Sequence, residues 1–127
     1  MSSASDSAPR SAREIAAFLG RFRFRFTDER ELQDGIERAF VRGGVAYERE
    51  VRLSARDRLD FLAGAVAVEV KVDGGLADLT RQVWRYAEDP RVRELLVVSS
   101  RSRLDGLASE INGKPVVVLV LTTAAFA

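Results

Sequence analysis

Apolar and polar positions recur along this chain with two different periods, and the switches between them mark out its elements. From Ser11 to Gly20 the period is helical: Ile15, Phe18 and Leu19 share a stripe, Ser11 and Glu14 stand at capping-box spacing, and Gly20 offers a stop. "RFRFRF" (21–26) then has a strict period of two. It predicts an extended strand with Phe22, Phe24 and Phe26 on one side and three arginines on the other, either a wet strand edge or a phosphate-binding stripe. Asp28 to Gly44 predicts a second helix. Asp28 caps it with Glu31 at the third helical position, Leu32, Ile36 and Phe40 form its stripe, and Gly43–Gly44 end it. "AYEREVRL" (46–53), Leu59–Leu62 and Val66–Val72 alternate as strands do. "VDGG" is a turn, Leu76 to Asp89 a third helix broken by Pro90, and "ELLVVSS" (94–100) a buried strand. "RLDGLASEING" (103–113) reads as a weak helix or a loop, and "KPVVVLVL" (114–121) as a last strand. The order ααβββαβ(α)β predicts an α/β domain: a central mixed β-sheet flanked by helices on both faces.

A chain of 127 residues fits one domain. Its first ten residues, rich in Ser and Ala, predict a disordered tail, which leaves 11–127 as a single unit. No apolar run approaches the roughly 18 residues of a membrane span, and the N-terminus lacks the apolar stretch of a signal peptide. The expectation is an intracellular, cytoplasmic protein with no membrane partner. There is neither Cys nor His, which excludes disulfides, thiolate chemistry, an imidazole base and the usual zinc ligands. A metal here must be held by oxygen, which favours Mg²⁺ or Mn²⁺. The net charge of +1 does not by itself argue for nucleic acid. Of the 20 basic residues only Lys71 and Lys114 are lysines; genome composition accounts for the arginine bias, and against it Lys71 stands out.

The candidate chemistry lies in "RLDFLAGAVAVEVKV" (58–72), where Asp60, Glu69 and Lys71 interrupt two apolar strands. Alternation puts Val66, Val68, Val70 and Val72 on one face and Ala67, Glu69 and Lys71 on the other. Unpaired charges buried there would be costly. A bound cation changes that balance: Asp60 on the preceding strand, Glu69, the backbone carbonyl of Val70 and waters would suit octahedral Mg²⁺, with Lys71 beside them to orient or deprotonate a water or to hold a phosphate oxygen. The alternative is a Glu69–Lys71 surface pair with Asp60 paired to an arginine such as Arg58. The spacing alone does not decide between them.

Asp60, an eight-residue gap and then Glu69-Val-Lys71 on a strand resembles the PD-(D/E)XK nuclease superfamily, and residues 28–100 run in its core order, helix, three strands, helix, strand (αβββαβ). Two further stretches are similar to members of it. "ERELQDGIERAF" resembles the opening helix of archaeal Holliday-junction resolvases, whose first Glu is catalytic and corresponds to Glu29. Helical phase agrees, since Glu29 borders the Leu32/Ile36 stripe and Glu31 lies about 100° from Leu32. Gln82-x-x-x-Tyr86 resembles the Gln-x-x-x-Tyr motif of RecB-type nucleases, and i, i+4 spacing puts both residues on one helix face, although Leu79, Val83 and Tyr86 also suit an ordinary core stripe. Leu59 stands where the superfamily often has Pro, and Asp57 is a second acid nearer the turn.

The resemblance implies a restriction-endonuclease-like core and a metal-dependent nuclease acting on DNA. Glu29, Asp60 and Glu69, with the Val70 carbonyl, would hold Mg²⁺ or Mn²⁺; Lys71 and Gln82 would join the catalytic set; Tyr86, Arg58, Arg81 and Arg85 would meet substrate. A domain this small has no separate recognition module, so the expectation is structure- or end-selective cleavage. A homodimer could supply two such sites, with "RFRFRF" or "VVVLVL" at its interface. The alternative is a catalytically silent nucleic-acid-binding or assembly module of the same fold; a third reading is a toxin–antitoxin or phage accessory protein with the same chemistry.

Overall fold

The two N-terminal helices form because their ends are satisfied locally. In the computed structural model, which describes residues 8–100, 104 and 106–121, Ser11 and Glu14 make the reciprocal capping box that opens α1 (Ala12–Leu19). Asp28 accepts the Glu31 N–H at the head of α2 (Glu29–Gly43). Gly44 closes that helix at φ 68°, a left-handed conformation that glycine adopts without strain. Residues 1–7 of the expected disordered tail, and the end of the C-terminal apolar run, lie outside the described residues.

Six strands follow: β1 (Glu48–Arg52), β2 (Arg58–Ala63), β3 (Val66–Lys71), β4 (Glu94–Ser99), β5 (Glu110–Ile111) and β6 (Lys114–Val120). They form one mixed sheet in the order β1-β2-β3-β4-β6-β5. β1, β2 and β3 pair antiparallel as a meander. β3, β4 and β6 are parallel, and α3 (Leu76–Ala87) carries the chain across from β3 to β4, as a parallel pair requires.

Helices cover the sheet on both sides. Ile15, Leu19, Leu32, Ile36 and Phe40 of α1 and α2 pack on Phe61, Val68, Val70, Leu96 and Val98. Leu79, Val83 and Tyr86 of α3 pack on Leu59, Ala67, Leu95 and Val97. Successive residues of β3 and β4 therefore enter opposite layers, the period-two alternation read from the sequence. Arg49 of β1 pins α2 to the sheet through ion pairs with Asp34 and Glu37, both at 2.9 Å.

Two expectations need correcting. "RFRFRF" forms no strand, although its burial alternates as predicted: Phe24 and Phe26 are buried and the three arginines exposed. The rings of Phe18, Phe22 and Phe24 pack in series, at 5.0 and 6.1 Å between centroids, and hold the segment against the helices. The alternation fixed which side is apolar, but a ladder also needs a neighbouring strand edge, and the sheet is closed off by β1 and β5. Conversely, part of the stretch read as a weak helix or loop supplies β5, whose Glu110 and Ile111 pair with Pro115 and Lys114. Among the described residues no helix is long and apolar enough to cross a membrane.

Candidate functional site

The site lies where β2 and β3 part. Their ladder runs through Ala63↔Val66, Leu62↔Ala67 and Phe61↔Val68 and then stops. The Val70 N–H, further along the same edge, donates instead to Asp60 Oδ2 at 2.7 Å. Alternation fails at the same point, since Leu59 and Phe61, two residues apart, enter opposite core layers. Across from Asp60 on β1 stands Glu50, between the partners of Leu59 and Phe61, with φ 57°. A non-glycine residue held there is strained, and such strain concentrates at functional positions. The local twist sends the Asp60 side chain sideways into the fork between the strands. The N–H and C=O of one residue leave a strand on the same side, so the Val70 carbonyl opens onto this fork too.

Glu69 projects into the fork from the α3 side of β3. It is only 8% exposed, and its Oε1 is buried without a hydrogen-bond partner. From α3, the buried Gln82 Oε1 is likewise unpartnered. One turn later the Tyr86 hydroxyl donates to the Arg58 carbonyl at 3.3 Å, fastening α3 to the start of β2. Asp60, Glu69, Gln82 and Tyr86 line one open cavity of about 340 Å³.

Burial controls the protonation of the acid pair. Desolvation raises Asp60 to about 6 against the opposing Val70 N–H bond, with Glu29 adding to the rise. Glu69 is driven well above the ordinary glutamate value, first by burial and then by the charge of Asp60, while Lys71 pulls it down. The two carboxyls are close enough to act on each other: their mutual hydrogen bonding lowers Asp60 and raises Glu69. The Tyr86 phenol is raised by burial and then by Glu69, Asp60 and Asp57.

Asp60, Glu69 and the Val70 carbonyl are the groups that could hold a divalent cation here: it would offset two desolvated carboxylates and give the orphaned Glu69 Oε1 a partner. The third acid of the sequence reading is placed differently. Glu29 Oε1, at the head of α2, accepts the N–H groups of Val72 (3.0 Å) and Asp73 (3.4 Å) just past β3. It is close enough to raise both other carboxyls. Among the described residues, no three acidic side chains are gathered into a ready-made ligand set.

Lys71 sits beyond Glu69 on the same face of β3, half-buried. Among the described residues it makes no ion pair. Its stem lies over Gly74, where a Cβ would stand 2.9 Å from Lys71 Cε and where φ is 101°. A glycine therefore leaves the lysine its channel. The surface-pair alternative does not describe this geometry: Glu69 is buried, and Arg58 pairs with Glu50 at 3.6 Å rather than with Asp60.

Arg58 and Arg85 line the cavity, Arg85 holding Asp57 at 2.9 Å. Arg81 stays outside it, in an exposed pair with Asp78. Arg52 and Arg56 line the cavity and went unnoticed in the sequence. The available signal was the hairpin register, which sets Arg52 directly opposite Arg58; like charges facing each other across strands destabilise a sheet unless an anion lies between them.

Comparison with family models, with curated proteins and with solved structures gave no match for this chain.

Geometry separates the two glutamates at the head of α2. Glu31 is exposed and accepts from the Thr27 N–H and hydroxyl, a local helix-end role. Glu29→Gln is expected to lower any metal-dependent activity at least roughly tenfold, the scale for disturbing groups around a metal. Glu31→Gln should cost only a little melting temperature. Paired rates and melting curves decide this; an inactive Glu31→Gln beside an active Glu29→Gln reverses the assignment.

Proposed function

We propose that this chain is a metal-dependent nuclease of the PD-(D/E)XK type, hydrolysing phosphodiester bonds of DNA with selectivity for structure or ends. The observation that carries the proposal is the fork between β2 and β3: two neighbouring, desolvated carboxyl groups, one buried carboxylate oxygen without a partner, and, on the same face of β3, a half-buried lysine with no ion pair among the described residues. Buried carboxyls without a cationic partner are costly in a purely structural role. The order α2-β1-β2-β3-α3-β4 supports a restriction-endonuclease-like core.

On this proposal Asp60 and Glu69 hold Mg²⁺ or Mn²⁺ with the Val70 carbonyl, and Glu29 stands next to them. The bound metal supplies Lewis-acid polarisation of the phosphate and a lower pKa for an attacking water. Lys71 orients that water and faces the negative charge that develops on the phosphate oxygens. Gln82 lines the cavity and Tyr86 keeps α3 in place, and Arg52, Arg56, Arg58 and Arg85 offset the charge of the nucleic-acid backbone.

Purified protein incubated with Mg²⁺ or Mn²⁺ and labelled single-stranded, duplex, flapped and four-way substrates tests the proposal. Cleavage of at least one substrate is expected, together with Mn²⁺ binding by calorimetry that Asp60→Ala weakens. A second reading, a catalytically silent nucleic-acid-binding or assembly module, draws on the engagement of Glu29 with backbone N–H groups. Binding across the panel without cleavage in either metal selects that reading. Equal Mn²⁺ affinity in wild type and Asp60→Ala removes the ligand assignment.

A further inference from the structure

The arginines of "RFRFRF" meet two from α2. Arg38 and Arg42 are four residues apart on one helix face, and Arg23 and Arg25 leave the extended segment on one side. All four are exposed and line a cavity of about 290 Å³ with Phe22 and Phe24. The segment approaches α2 this closely because residue 35 is glycine: a Cβ there would stand 3.0 Å from Phe24 Cδ1. None of the four arginines has an acidic partner among the described residues, whereas Arg49, Arg58, Arg81, Arg85 and Arg91 each do. Four guanidinium groups around one cavity repel each other unless an anion joins them. Planar, multi-donor guanidiniums match phosphate oxygens.

Arg38 and Arg42 lie about 14 and 20 Å along α2 from Glu29, and roughly 180–220° around it. The cavity is therefore separate from the fork between β2 and β3.

We propose that Arg23, Arg25, Arg38 and Arg42 form a phosphate anchor for the nucleic-acid backbone, remote from the cleavage site. It takes its polyanion, nucleic acid, from the proposed function; the charge cluster itself is independent of the acid pair. The anchor adds affinity without base contacts, so it acts on every sequence alike and weakens with salt.

The test is Arg38→Gln/Arg42→Gln, measured by fluorescence anisotropy with a 40-base-pair duplex in EDTA across a salt series. Removing a like-charged i, i+4 pair from an exposed helix face leaves the fold intact or slightly more stable, which melting curves verify. Affinity should fall about tenfold or more at 0.1 M salt, with the slope of log K against log salt reduced by about two. Cleavage at saturating substrate should be unchanged. Unaltered affinity and slope overturn the anchor, as does a variant that loses only the stabilisation given by inorganic phosphate, which would make this a small-anion site. If wild type cleaves nothing yet the double variant still loses duplex affinity, the anchor stands and the nuclease proposal falls.

Discussion

Glu69→Gln should abolish cleavage and, without metal, make the fold more stable. Glu69 is buried beside Asp60 with one oxygen unpartnered, so its charge is a liability until a cation or a proton joins the pair. An amide of the same shape removes the charge and keeps the packing. The melting temperature in EDTA should rise by a few degrees, about 1 kcal/mol being worth roughly 3–6 °C at this length. Wild type should overtake the variant once Mn²⁺ is added, because only wild type gains binding energy from it. Cleavage should drop roughly a thousandfold. A variant as active as wild type removes Glu69 from the chemistry; one that melts far below wild type gives the carboxylate a structural role instead.

The same pair sets the pH dependence of the metal-free protein. Asp60 is raised from 3.8 to about 6 in the fold, and Glu69 is raised well above its ordinary value. The folded state thus binds more protons than the unfolded chain above pH 4, so stability falls as pH rises from about 4 through 6 and beyond. Glu29, Lys71, Arg58 and Tyr86 face the pair; Lys71 and Arg58 moderate the loss and Glu29 deepens it. Saturating Mn²⁺ should flatten the fall, and Glu69→Gln should reduce it. A metal-free melting temperature that climbs over that range contradicts the geometry.

Lys71→Ala should fold, bind metal and bind DNA like wild type, yet cleave roughly a hundredfold more slowly or worse. The side chain makes no ion pair among the described residues and its stem rests on Gly74, so truncation loses little packing; the charge of Glu69 loses some compensation, which bound metal restores. A group that meets charge only as the phosphate reacts changes turnover rather than affinity. Single-turnover rates, set beside a binding isotherm in Ca²⁺ at one fixed salt concentration, separate the two. Wild-type rates in this variant would remove the lysine from the mechanism; weakened DNA binding with the rate unchanged would make it a phosphate contact only.

What was legible in the sequence was whatever depends on residues close together in the chain. Ser11, Glu14 and Asp28 announced two helix starts, since a cap is satisfied within four residues. Alternation in 66–71 assigned Val68 and Val70 to one layer and Ala67, Glu69 and Lys71 to the other, because a strand's period is local geometry. Helical phase put Glu29 at the border of the Leu32/Ile36 stripe; that it accepts N–H groups just past β3 was visible only in the fold. Tertiary structure decided the rest. The burial that raises Asp60 and Glu69 comes from the layers closing over them, and the turn of Asp60 into the fork comes with a strained Glu50 that no local pattern reveals. Only the hairpin register brought Arg52 opposite Arg58, and only the packing of the Phe22–Phe24 segment on α2 turned "RFRFRF" from an expected strand into half of an arginine-lined cavity. Period and capping are properties of the backbone and its nearest neighbours; electrostatic environment is set by groups far apart in sequence, and exists only once the chain has folded.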